Sequence, residues 1–124
     1  MTLPVLGLIL LSVSLSAAAQ VLFKFGMSSE SVRAAMAGGS AMRTGLAVFL
    51  NPAILGGLSL YGIGTVLWLG VLSRVQVSQA YPFVGLGFVL TALIGYALFG
   101  DTLGTLRIGG IALVMTGIYL IAHS

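Results

Sequence analysis

From Leu3 to Phe25 the chain carries one charged side chain, Lys24, and comparable apolar runs follow at Pro52–Val75, Ala80–Phe99 and Leu106–Ala122. A helix of about 20 apolar residues spans the hydrocarbon core of a bilayer. Four such runs leave too little polar surface to solvate a soluble particle. Charged residues make up 6% of the 124 positions, against about 25% in soluble domains, and the mean hydropathy is +1.19. The expected fold class is all-α integral membrane, a bundle of four transmembrane helices in a single membrane domain over residues 1–124. Residues 26–43 form its one sizeable polar loop. Ala17-Ala18-Ala19 before Gln20 resembles a signal-peptide cleavage site. No Lys or Arg precedes the run and it continues to Phe25, so a retained span is the better reading.

Composition removes several chemistries. There is no cysteine, one histidine and two acidic residues, so disulfides, a metal site and a cofactor are not expected. No nucleophile–base pair suggests an enzyme. The net charge of +3 rests on five basic residues, which suits anionic lipid headgroups and not nucleic acid.

Polar residues within the runs are patterned. Ser12, Ser16, Gln20 and Lys24 recur every fourth residue and share one helical face. Such a stripe faces protein or water, because unpaired polar groups in hydrocarbon are costly. Helix–helix glue and a cavity lining both satisfy it, and Lys24 near the helix end can also snorkel to the headgroups. In the polar segment, Ser28-Ser29-Glu30-Ser31 can start a short helix that Gly38-Gly39-Ser40 would end, and Thr44–Leu50 is an interfacial stretch or an early start to span two. Asn51-Pro52 reads as N-cap and first helical residue. Span two places Tyr61, Thr65 and Trp68 on one face, and its glycines permit close neighbours. The aromatics also fit an interfacial belt. The short connection Arg74–Gln79 makes spans two and three antiparallel neighbours, with Pro82 in the first turn of span three, where a missing N–H costs nothing. Thr102 or Thr105 caps span four, whose Gly110 and Gly117 lie seven apart and read as a dimer seam. Lys24, Arg33, Arg43 and Arg107 on one side, against Arg74 on the other, orient the termini to the outside.

Four short spans, a tight second turn and Gly110–Ile121 (GIALVMTGIYLI) resemble the small multidrug resistance and EamA-like branches of the drug/metabolite transporter superfamily. Leu11–Gly26, Val66–Pro82 and the span-four glycines are most similar to the aminoarabinose-phosphoundecaprenol flippase subunits. Those subunits share a Gln-x-x-x-Lys in span one, matched by Gln20 and Lys24, a Leu-Trp-Leu, matched by Leu67-Trp68-Leu69, and an Ala-Tyr-Pro, matched by Ala80-Tyr81-Pro82. The drug-efflux branch instead carries a glutamate in span one, where this chain has Ser16. Proton-coupled export of cations needs a buried acid with a raised pKa, and serine cannot titrate.

The resemblance implies a multi-pass protein of the bacterial inner membrane that acts as a homodimer, or beside a similar four-helix subunit. The expected activity is flipping of a polyprenyl-phosphate-linked sugar by alternating access. Lys24, Arg74 and Arg107 are candidates for the phosphate, and Ser12, Ser16, Gln20, Tyr61, Trp68 and Tyr81 for the sugar. The orientation puts Lys24 and Arg74 on opposite faces, so one phosphate cannot touch both. Two other readings remain: an exporter of drugs or small metabolites with the same fold, and a non-transporting membrane subunit.

Overall fold

A computed structural model describes residues 2–124, all of whose regular structure is helical. The elements are α1 (Leu3–Met27), α2 (Glu30–Ala37), α3 (Ala41–Phe49), α4 (Pro52–Leu72), α5 (Val77–Ala80), a 3₁₀ turn (Tyr81–Phe83), α6 (Val84–Phe99) and α7 (Thr105–Ala122). Four segments are long and apolar enough to cross a membrane: Leu3–Met27, Pro52–Leu72, Val77–Phe99 and Thr105–Ala122. The first and fourth begin or end within two residues of the sequence expectation, and the second ends three residues early.

The polar segment is mostly helical. Ser29 caps α2, accepting from the Val32 N–H, and Ser40 caps α3, accepting from the Arg43 N–H. Asn51 Oδ1 accepts from the N–H groups of Ala53 and Ile54, while its Nδ2 donates to Ser29 Oγ at 3.1 Å. One side chain thus caps α4 and ties it to the start of α2.

Span three departs from expectation. It begins at Val77, not Ala80, which puts Pro82 in its second turn. There proline removes a hydrogen bond to the carbonyl four residues back and crowds that carbonyl. The chain tightens into the 3₁₀ turn Tyr81–Phe83 before α6 resumes. Phe83 is buried by this break, whereas Tyr81 is exposed.

The centre of the assembly is α1. It packs most extensively on α4, and α6 lies against another of its faces. The α1–α4 contact is built from small residues seven apart. A Cβ added to Gly57 would meet the Phe23 ring at 2.7 Å and the Ala19 carbonyl oxygen at 3.1 Å, and one added to Gly64 would meet the Ser12 carbonyl oxygen at 3.3 Å. Backbones approach this closely only where side chains are absent. By contrast α4 and α6, though antiparallel, share almost no contact. The short connection between them therefore does not make them packed neighbours: α4 uses Gly57 and Gly64 on α1, and α6 meets α1 beside Gly87, where a Cβ would lie 3.5 Å from Val13.

The apolar core gathers at one end, where Val5, Ile9, Val13, Val71, Ala80, Phe83 and Ile118 converge. There α7 docks through its C-terminal half. Its N-terminal half stands away: Leu106 is 91% exposed, and a Cβ at Gly109 or Gly110 would meet nothing within 4 Å. Thr102 and Thr105 do not cap α7, since Gly104 occupies the N-cap position with no side-chain bond.

Gly57→Ala should lower the unfolding free energy in mixed micelles by about 1–3 kcal/mol, the usual range for overpacking. Gly62→Ala, which would meet nothing within 4 Å, should be neutral or stabilising by up to about 1 kcal/mol through helix propensity. Equal stability of the two variants would contradict the close approach of α1 and α4.

Candidate functional site

The groove left between α4 and α6, floored by α1, is a cavity of about 740 Å³. Three helical stripes line it. From α1 come Ser12, Ser16 and Gln20, and from α4 come Tyr61, Gly64, Thr65 and Trp68. The third stripe is Tyr81, Val84, Phe88 and Thr91, one face of the broken third span. Each stripe repeats at three or four residues, so each is a single helix face. The volume lies within the range of small-molecule sites.

The polar groups are in different states. Ser12 is 3% exposed, and its hydroxyl donates to the Gly64 carbonyl at 2.7 Å. It acts as interhelical glue at the cavity wall. Thr65 and Thr91 donate to carbonyls one turn back on their own helices, Tyr61 and Gly87, at 2.8 and 2.7 Å. Gln20 is exposed to the cavity. The aromatic walls are partly open: Tyr61 is 48% and Tyr81 63% exposed, while Trp68 packs by one side against the apolar core.

The expected cations are separated. Arg107 lines the cavity at the end formed by the α6–α7 turn, where its Nη1 donates to the Thr102 carbonyl at 2.6 Å. Lys24 lines an adjoining recess of about 330 Å³, together with Gln20, Thr91, Gly95, Phe99 and Asp101. Arg74 lines neither space. It lies beyond the C-terminus of α4, at the opposite end of the bundle from Lys24 and Arg107. Gly110 and Gly117 are on α7 beside open space.

Sequence reasoning missed two contributions. The α6 stripe was legible: Val84, Phe88 and Thr91 follow Tyr81 at helical spacing. Asp101 was not. It sits outside the apolar runs, yet the turn after α6 folds it back so that it lines both the cavity and the recess.

No family model and no solved structure matches the chain. Curated proteins do. It is 43% identical over 61 residues to a probable 4-amino-4-deoxy-L-arabinose-phosphoundecaprenol flippase subunit ArnE of Pectobacterium atrosepticum, covering 49% of this chain and 54% of the relative. It is 41% identical over 58 residues to the protein of the same name from Pseudomonas savastanoi, covering 47% and 51%. An uncharacterised protein of Sinorhizobium fredii is 36% identical over 76 residues, covering 60% and 65%. The matched region thus spans about half the length of the first two relatives and somewhat more of the third. With four helices able to cross a membrane, the chain is a multi-pass membrane protein similar, over about half its length, to the aminoarabinose-phosphoundecaprenol flippase subunits.

Proposed function

We propose that this chain is a flippase subunit that moves a polyprenyl-phosphate-linked sugar between the leaflets of the bacterial inner membrane. The observation that carries the reading is the groove between α4 and α6, with aromatic walls, the polar face of α1 as its floor and cations at one end only. The similarity to subunits named for a lipid-linked aminosugar supports it.

The parts divide the substrate by chemistry. A sugar head fits against Tyr61, Trp68 and Tyr81, with Gln20 and Ser16 as hydrogen-bonding partners. Aromatic faces suit the C–H surface of a sugar, and the amide and hydroxyl suit its rim. The phosphate goes to the end bearing Arg107 and Lys24, where guanidinium and ammonium groups give charge-assisted hydrogen bonds. A polyprenyl tail is far too long for a 740 Å³ space. It stays in lipid, leaving through the gap where α4 and α6 fail to pack. With basic residues oriented inward, Lys24 and Arg107 load the phosphate from the cytoplasmic side, while Arg74 lies at the exit.

Crossing then requires the cavity to change the face on which it opens. The apolar core at one end is the pivot, and the loosely held N-terminal half of α7 with its neighbour α6 is the moving part. The uncovered α7 face bearing Gly110 and Gly117 is where a second four-helix subunit, of the same or a similar kind, completes the enclosure.

In vesicles containing the chain and any obligate partner subunit, Lys24→Ala, Arg107→Ala and Trp68→Ala should each slow transfer of a labelled polyprenyl-phosphate sugar by about tenfold or more. That is the loss expected for one charge-assisted contact or one aromatic wall. Arg43→Gln, on α3 and lining neither space, should leave the rate unchanged. Wild-type rates in all three site variants would refute the assigned site.

Cysteine placement checks the cavity itself in a chain with no native cysteine. Ser16→Cys should react with a small hydrophilic thiol reagent. Ile9→Cys, at a site 0% exposed, should react at least about tenfold more slowly, as buried thiols are inert. Equal rates would mean that the groove is filled or closed to water.

A further inference from the structure

The turn between α6 and α7 carries an acid to a place that phosphate binding does not explain. Gly100 adopts a left-handed conformation (φ 70°) at the end of α6, which glycine tolerates without strain. The reversal returns the Asp101 N–H to the Gly95 carbonyl at 3.1 Å. It also lays the carboxylate over Gly95, on the spot that a Cβ there would occupy. Asp101 is therefore turned back along α6 and not out beyond the helix end. It lines both the main cavity and the Lys24 recess, two spaces that also share Gln20 and Thr91. The only other acidic residue, Glu30 on α2, lines neither.

A carboxylate at the mouth of an anion site opposes the anion, because like charges a few ångströms apart repel. Nor does the hydrogen bond of Arg107 tie the acid up, since it goes to the Thr102 carbonyl. The arrangement is productive if the ligand brings a positive charge of its own. We propose that Asp101 is a specificity determinant that binds a primary ammonium on the sugar head, while Lys24 and Arg107 hold the phosphate. This rests on the flippase reading above, whose relatives are named for an amino sugar, and adds the residue that would select it: a carboxylate delivered by the α6–α7 turn faces the cation of a zwitterionic ligand.

Trp68 is the only tryptophan and lines the cavity, so its fluorescence reports occupancy. The experiment titrates the purified full chain, assembled with any obligate partner subunit, with two short-chain polyprenyl-phosphate glycosides, one bearing a free amine on the sugar and the other the same amine N-acetylated. The wild-type chain should prefer the free amine by about tenfold or more, as expected of one charge-assisted contact in a partly wet site. In Asp101→Asn, which keeps shape and removes charge, the ratio should fall to near one. A ratio retained in Asp101→Asn overturns the inference, including the case in which both ligands weaken equally. A wild-type chain that binds both ligands equally overturns it too, while leaving the flippase reading standing. A wild-type chain that binds neither ligand overturns the flippase reading and this inference with it.

Discussion

The close approach of α1 and α4 governs the rest of the structure. Gly57 sits against the Ala19 carbonyl and the Phe23 ring and Gly64 against the Ser12 carbonyl, so the two backbones come close, and the Ser12 hydroxyl bonds across the contact. In lipid the hydrophobic effect gives no reason for two apolar helices to associate. Packing of small residues and interhelical hydrogen bonds supply it. On α4, Gly57 and Gly64 are committed to this contact, whereas Gly62 and Gly70 meet nothing within 4 Å. The third span also attaches to α1, and the space between the two flanking helices stays open.

That space explains how one helix can serve two purposes. The polar stripe of α1 divides along its length: Ser12 is consumed as glue, Ser16 and Gln20 face the cavity, and Lys24 turns into the adjoining recess. The division follows the geometry of the neighbours. Residues four apart drift slowly around a helix of 3.6 residues per turn. A stripe that begins beneath α4 therefore emerges between α4 and α6 further along. The charged end of the cavity is assembled from three sources, Lys24 on α1, Asp101 in the α6–α7 turn and Arg107 on α7.

Much of this was legible from the chain alone. Asn51-Pro52 announced the start of α4 because a cap and an N1 proline are local devices, and Ser28-Ser29-Glu30-Ser31 marked the start of α2; Ser40, read as part of the stop after α2, is instead the cap of α3. The lining faces of α1 and α4 followed from periodicity. Pro82 was misread because its effect depends on where its helix begins: three residues of earlier start change a harmless proline into one that breaks a turn. Asp101 was passed over because a loop acid normally belongs to solvent. Only the left-handed glycine before it and the bare Gly95 beneath it bring the carboxylate back to the cavity.

By itself, then, the sequence determined four spans, their order, the cap of α4 and which residues share a face, since all of these depend on interactions within a few residues. Tertiary structure alone decided which faces meet, that α4 and α6 stand apart, that α7 docks by one half, and which charges gather at one mouth. The physical reason is that each span is apolar nearly all round. In a bilayer, water no longer sorts inside from outside, so shape complementarity between particular small residues on different helices makes the choice.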